Sequence, residues 1–300
     1  MNERDLVQPI PGAALTLVRN PKLKEFHDLA HTEGFLKLDL EDSGNARRLP
    51  KTIERNGHIF MVAKVAYPQN KAGLATFYTI DLFIKPSGVI MVAPENPEKL
   101  VDRIKQRLGG EGEGNGFRLA HAVLDEIVDG YLAALDAMGE TIQHLEAQTL
   151  KRPATHTIAH IFQMKKTLSD FRRNSSTMRE AVNTMARSKT VQEQGDLAIY
   201  LHDVAEHLMQ AIELVETYRD ALSEALDLYL SVSTNRINDI VKVLAVYGTI
   251  ALPLVVITSM YGMNVALPLA KEPAAFWIVM GAAAVLTAGM LVYFRKRHWF

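Results

Sequence analysis

The chain has 300 residues, with 33 Lys and Arg against 34 Asp and Glu and no cysteine. A net charge of −1 gives no electrostatic case for a nucleic-acid partner. The absence of cysteine excludes disulfides and thiolate metal sites and fits a reducing compartment.

The first residues, MNERDLVQPI, lack the basic stretch and apolar core of a signal peptide. Residues 1–116 predict a cytoplasmic α/β domain. Strand-like composition falls at Ala14–Val18, Gly34–Leu40, His58–Tyr67, Ala75–Lys85 and Val89–Ala93, and Lys85-Pro86-Ser87-Gly88 is a hairpin turn between the last two. Pro97 opens a short helix with Leu100, Ile104 and Leu108 four apart. The run from Gly109 to Gly116 is too glycine-rich to hold a helix and reads as a domain boundary.

Residues 117–195 predict a cytoplasmic helical hairpin, one helix from Phe117 to Thr149 and another from Thr155 to Ser188, with Pro153 at the corner. A further helix begins near Asp196 after Gly195. Its apolar positions, Leu197, Leu201, Val204, Leu208, Ala211, Val215, Tyr218, Leu222, Ala225, Tyr229 and Val232, step by three and four, the rhythm of a coiled coil. No Pro or Gly intervenes before Gly248, so residues 196–261 predict one stalk helix running into a first span at about 241–261. A lone helix of that length does not stay folded, so it must pack on copies of itself or on the preceding hairpin.

Val243 to Tyr261 is 19 residues without a charge, and Ala274 to Phe294 is 21. Each crosses a hydrocarbon core of about 30 Å at about 1.5 Å per residue. The chain therefore reads as an α+β cytoplasmic domain, long helices and a two-span transmembrane hairpin, with an extracytoplasmic loop at 262–273, a second span at 274–294 and a basic tail at 295–300. Arg295, Lys296, Arg297 and His298 follow the second span, whereas the loop carries only Lys271 and Glu272. The positive-inside rule places both ends in the cytoplasm, in a bacterial or archaeal inner membrane.

On a helical projection the first span carries one stripe: Asn238, Val241, Leu244 or Ala245, Gly248, Leu252, Val255 and Ser259, with Asn264 beyond. Polar residues mark its ends and apolar residues its middle. If several copies face one another, the amides form rings at both mouths and the apolar rings form a constriction that gates by dewetting. A membrane anchor with ordinary packing faces accounts for the same stripe. At the outer end, Tyr261-Gly262-Met263-Asn264 places a tight turn and an uncharged amide where a hydrated cation first meets protein.

That quartet carries a resemblance. The segment TNRINDIVKVLAVYGTIALPLVVITSMYGMNV, with Pro253 and the Gly262-Met263-Asn264 signature, is similar to the inner helix of the CorA magnesium and cobalt transporter family. Residues 201–210, 215–238 and 119–146 and the stretch Arg48–Glu54 also resemble it. The resemblance implies a funnel-shaped homopentamer that imports Mg²⁺, Co²⁺ or Ni²⁺, is driven by membrane potential and is gated by cytoplasmic Mg²⁺. It implies Asn264 as a ring touching the ion's hydration shell, Val241, Leu244, Gly248 and Leu252 as pore-lining and Asn238 as the inner polar ring. It further implies a regulatory metal site between subunits, formed by Asp42 and Asp203 with Glu41 and Glu206 assisting. No cofactor is implied; Mg²⁺ is substrate and regulatory ion. The loop departs from the family in that Glu272 is its only acid, beside Lys271, and Val255 stands where a pore Thr is common.

These departures leave open the zinc-transporting branch of the superfamily, coupled to a proton gradient. A membrane-anchored coiled-coil scaffold is the alternative from another class. His156 and His160, four apart, lack an adjacent acid to complete a metal set. His202 and His207 are five apart and are expected on the stalk surface. Arg295–His298 suits anionic headgroups, although a stop-transfer cluster needs no further role. Motifs of nucleotide hydrolysis, G-x-S-x-G and H-E-x-x-H are absent, so no enzyme is expected.

Overall fold

The computed structural model describes residues 7–9, 14–22, 24–43, 45, 47–55, 57–69, 73–93, 97–108, 115–151, 155–263, 274–297 and 299. It divides into two compact units, residues 1–226 and 227–300.

The first unit is built on a six-stranded sheet. Its strands are β1 (Val7–Pro9), β2 (Leu15–Val18), β3 (Lys51–Arg55), β4 (His58–Pro68), β5 (Ala75–Lys85) and β6 (Gly88–Val92), in the order β1-β2-β6-β5-β4-β3. Only the β2–β6 pairing is parallel. β4 and β5 are the long central strands because both of their faces are covered. The period of two sends Ile59, Met61, Ala63 and Val65 to one apolar layer, and Phe60 and Val62 to the other.

The smaller layer holds α1 (Lys24–Thr32) and α2 (Lys37–Asp42). Phe83 is its centre: its ring stacks on Phe35 at 4.6 Å and meets Phe60 at 4.9 Å between centroids. An ion pair from α2 and a hydrogen bond from Ser43 at its C-terminal end fasten this layer to the sheet. Arg55 donates to both oxygens of Asp39, at 2.9 and 3.0 Å. Arg48 and Ser43 donate to Asp81, which is fully buried, at 2.6 and 2.9 Å.

The expected strand over Gly34–Leu40 is corrected here, because Lys37–Asp42 is helical. Leu36 and Leu38 are exposed while Phe35, Asp39 and Leu40 are buried. That spacing is helical, and the partner that rewards Asp39 for its burial, Arg55, is distant in sequence. The short strands β1 and β3 and the helix α1 were not expected.

The larger layer packs α3 (Glu98–Leu108), α4 (Gly116–Lys151) and α5 (Thr155–Ala186) on the opposite face. Gly116 is the first residue of α4 rather than part of a helix-free loop. A Cβ there would collide with the carbonyl oxygen of Lys85 and the backbone of Gly88, so glycine lets α4 start against the β5–β6 turn. After α6 (Lys189–Gln192), Gly195 adopts φ +66° and α7 runs from Leu197 to Tyr261. Along α7 the three-and-four rhythm is buried from Leu197 to Ala225, Tyr218 alone being partly exposed, and the buried seam ends where the first unit ends.

The second unit comprises residues 227–261 of α7 and α8 (Ala275–Lys296). Both α7 and α8 contain stretches long and apolar enough to cross a membrane. Three of their threonine hydroxyls are satisfied within the helix: Thr249 donates to Ala245 O at 2.7 Å, Thr258 to Leu254 O at 2.9 Å and Thr287 to Ala283 O at 2.9 Å. That is the condition an apolar solvent imposes.

Candidate ion pathway and metal centre

Val246 is buried, and Lys242, Ile250, Pro253 and Ile257 on the same face of α7 are half-buried. The steps of four and three define one side of the helix. The stripe lies on the other side. Asn238, Val241, Leu244, Gly248, Leu252, Val255 and Ser259 are all exposed in the single chain. For Val241, Leu244, Leu252 and Val255 that exposure runs from 56% to 67%, which is far from the state of an apolar side chain with a partner.

Pro253 sits inside the helix. It lacks an N–H, so the carbonyl of Thr249 loses its usual donor. At the outer end, Gly262 N donates to Thr258 O at 3.1 Å and Ser259 O at 3.2 Å, and Met263 N donates to Met260 O at 3.2 Å. The helix thus closes in a tight turn directly before Asn264. Tyr261, Gly262 and Met263 are exposed. Asn264 and Glu272 lie outside the described residues.

The acids expected in a regulatory site fall on two elements. Glu41 and Asp42 end α2; Glu41 is exposed with Lys37 at 3.8 Å, and the side chain of Asp42 is outside the described structure. Asp203 is exposed on α7, and Glu206 beside it lies 3.6 Å from His202.

The structure brings together a cluster that sequence reasoning missed. Asp125 and Asp129 lie one turn apart on α4, and His207 on α7 meets them. One ligand atom from each of the three lies within 4.8 Å of the others. His207 is half-buried rather than on the stalk surface, and its Nδ1 is buried without a hydrogen-bond partner. Asp203 is one turn before His207. The signal available in sequence was Asp125 on the apolar side of a helix, where a carboxylate is expensive unless compensated, with the exposed Asp129 one turn on.

Arg107 of α3 supplies compensation. It donates to Asp125 and, at 3.0 Å, to Asp129, and lies 3.5 Å from Glu126. Burial acts to lower the pKa of its guanidinium, but the hydrogen bond to Asp129 and the charges of Asp125, Asp129 and Glu126 hold it above the ordinary value. One turn before Asp125, His121 packs edge-on against Tyr200, 5.5 Å between centroids. Burial pushes its pKa below the ordinary histidine value, against the opposing pull of Asp125 and Asp203. Two carboxylates and an imidazole nitrogen are a donor set for a divalent cation, and Arg107 holds part of that set.

The chain is similar to known transport proteins over nearly its whole length. It is 29% identical over 272 residues to the cobalt/magnesium transport protein CorA of Thermotoga maritima, covering 89% of this chain and 77% of that protein. It is 26% identical to the protein of the same name from Methanocaldococcus jannaschii, covering 93% and 89%. Its fold matches the complete structure of the CorA magnesium transporter from Methanocaldococcus jannaschii with a TM-score of 0.83 at 24% identity, covering 95% of this chain and 91% of that one. The model of the CorA-like Mg²⁺ transporter protein family matches residues 17–296, and this chain belongs to that family.

Proposed function

We propose that this protein is a channel-like importer of divalent cations, Mg²⁺ with Co²⁺ and Ni²⁺, and that its conduit is the exposed stripe of α7 repeated around an axis in a homopentamer. The observation that carries the reading is the division of α7 into two faces: Val246 and its neighbours on one are buried or half-buried, and the stripe from Asn238 to Ser259 on the other is exposed among the described residues. The relatives named cobalt/magnesium transport proteins supply the cation class.

In this reading a hydrated ion meets a ring of Asn264 amides held by the turn at Tyr261-Gly262-Met263. A neutral carbonyl oxygen holds a strongly hydrated dication without trapping it. Ser259 continues the polar mouth, and Val255, Leu252, Gly248, Leu244 and Val241 form the narrow apolar stretch. Asn238 receives the ion at the cytoplasmic end, with both chain termini on that side of the inner membrane. Glu272 is the one loop acid that draws cations in. A dication gains about 4.6 kcal/mol per 100 mV on moving to the negative side, so the membrane potential suffices as driving force.

Cytoplasmic Mg²⁺ closes the pore by occupying acidic sites on the first unit: the Asp125, Asp129 and His207 cluster with Asp203 beside it, and Asp42 with Glu41 facing Asp203 and Glu206 of a neighbouring subunit. Ion uptake into liposomes holding the purified protein tests the reading. Potential-driven Mg²⁺ or Co²⁺ flux that Leu244→Asn alters supports it, whereas absence of flux for every ion overturns it.

A further inference from the structure

The second unit holds an open groove of about 530 Å³ between Thr249 of α7 and the C-terminal half of α8. Thr249 of α7 lines one wall, and Val285, Gly289, Met290, Tyr293 and Phe294 of α8 line the other. The steps of four from Val285 to Gly289 to Tyr293 make this one continuous side of α8. It opens at Gly289, where an added Cβ would meet nothing within 4 Å. From Val285 to Tyr293 the groove runs about 12 Å along the helix axis, most of the ~15 Å depth of one leaflet's hydrocarbon.

The end of the groove is cationic. Arg295, Lys296 and Arg297 follow Phe294 directly and are exposed. Across from them, Lys242 of α7 lies over the Trp299 ring, Nζ 5.9 Å from the centroid, and Trp299 in turn packs on Phe294 at 5.5 Å. The Arg297 guanidinium is 5.9 Å from the Tyr293 ring. α8 carries no acid, and the acids of this unit among the described residues, Asp227 and Asp239, precede Lys242 on α7. Four cations, a Trp and a Tyr thus surround one end of an apolar slot. This is the arrangement that recognises a molecule with a hydrocarbon tail and a negative head at the membrane–water boundary.

We propose that this slot is a binding site for an anionic phospholipid of the cytoplasmic leaflet, with one acyl chain lying along Gly289 between α7 and α8 and the phosphate held by Lys242 and the Arg295–Arg297 cluster. The proposal rests on reading α7 and α8 as membrane spans. Because the lipid touches both helices, it fixes their separation at the inner end of the stripe.

The chain has two tryptophans, at opposite ends of α8, which provides the test. Full-length protein carrying Trp277→Phe keeps Trp299 as its single reporter, and protein carrying Trp299→Phe keeps Trp277. Each is reconstituted with acyl-chain-brominated phosphatidylglycerol or phosphatidylcholine at equal mole fraction, and fluorescence quenching is read. The site predicts that Trp299 is quenched preferentially by the anionic lipid, with local enrichment on the order of fivefold, and that Trp277 is quenched alike by both. Gly289→Leu, which fills the slot, is expected to reduce the preference severalfold, and Arg295→Gln/Lys296→Gln/Arg297→Gln to abolish it. Gly289→Ala is the milder variant if the leucine impairs assembly.

Equal quenching of Trp299 by the two lipids overturns the proposal. So does a preference lost in the triple variant but untouched at Gly289, which would mean surface attraction without a built slot. Trp299 shielded from both lipids while Trp277 is quenched would mean that protein, a second copy of this chain, covers the groove. Failure of both lipids to quench Trp277 would remove the membrane reading itself, and with it the site.

Discussion

Arg107 Nη1 lies 3.0 Å from Asp129 Oδ2 while its other terminal nitrogen reaches Asp125, so a guanidinium holds two of the three groups that could bind a divalent ion with His207. The arginine and a metal ion therefore compete for the same carboxylates. Arg107→Gln is expected to tighten Co²⁺ or Ni²⁺ binding to the full-length protein. A partly exposed ion pair is worth ~0.2–1 kcal/mol, so the gain is up to about fivefold, read by titration calorimetry. Asp125→Asn should abolish the same heat. Weaker metal binding in Arg107→Gln would show that the arginine orders the site rather than blocks it.

Asp81 is buried and accepts from Arg48 and Ser43. Removing one member of a buried pair leaves the other charge uncompensated, at a cost of about 3–5 kcal/mol. Asp81→Ala should lower the thermal midpoint of the first unit markedly, followed by circular dichroism, and Asp81→Asn should lower it less because it retains an acceptor. An unchanged midpoint for Asp81→Ala would remove the pair from the account of how α2 is held.

Gly116→Ala places a methyl group against the Lys85 carbonyl and Gly88 backbone. Backbone cannot rotate away as a side chain can, and overpacking of this kind costs about 1–3 kcal/mol or more. The variant should be destabilised although alanine is the better helix former. Equal or greater stability would mean that the start of α4 shifts freely.

Glu54 of β3 accepts from the backbone N and the hydroxyl of Thr190, at 3.0 and 2.7 Å. These hydrogen bonds favour the carboxylate and hold its pKa below the ordinary 4.5. The depressed value fixes the sign: the stabilisation is complete above pH 4.5 and is lost as pH falls through the lower folded-state value. Glu54→Gln should flatten that part of the stability–pH curve slightly, because the group is exposed. Identical curves above and below pH 4.5 in both proteins would exclude the contribution.

Much of this was legible because it is local. The two long apolar helices, the buried rhythm from Leu197 to Ala225 and the β5–β6 turn all follow from periodicity and turn chemistry within one segment. The misread parts depend on partners distant in sequence. Gly34–Leu40 reads as a strand until Arg55 and Phe83 are placed opposite Asp39 and Phe35. His207 looked like a surface residue because its neighbours Asp125 and Asp129 come from a helix about 80 residues earlier, and α3 with Arg107 comes earlier still. Sequence spacing cannot reveal a cluster assembled by three separate helices.

In the proposed conduit, divalent cations pass along the exposed face of α7 and a ring of Asn264 amides. The most direct measurement is Mg²⁺ and Co²⁺ uptake into proteoliposomes under an imposed inside-negative potential, for the native chain and for Asn264→Ala. The account predicts uptake that rises with the potential, is indifferent to an imposed pH gradient and is lost or strongly reduced in the variant. Uptake that follows the pH gradient instead, or survives Asn264→Ala unchanged, would contradict it.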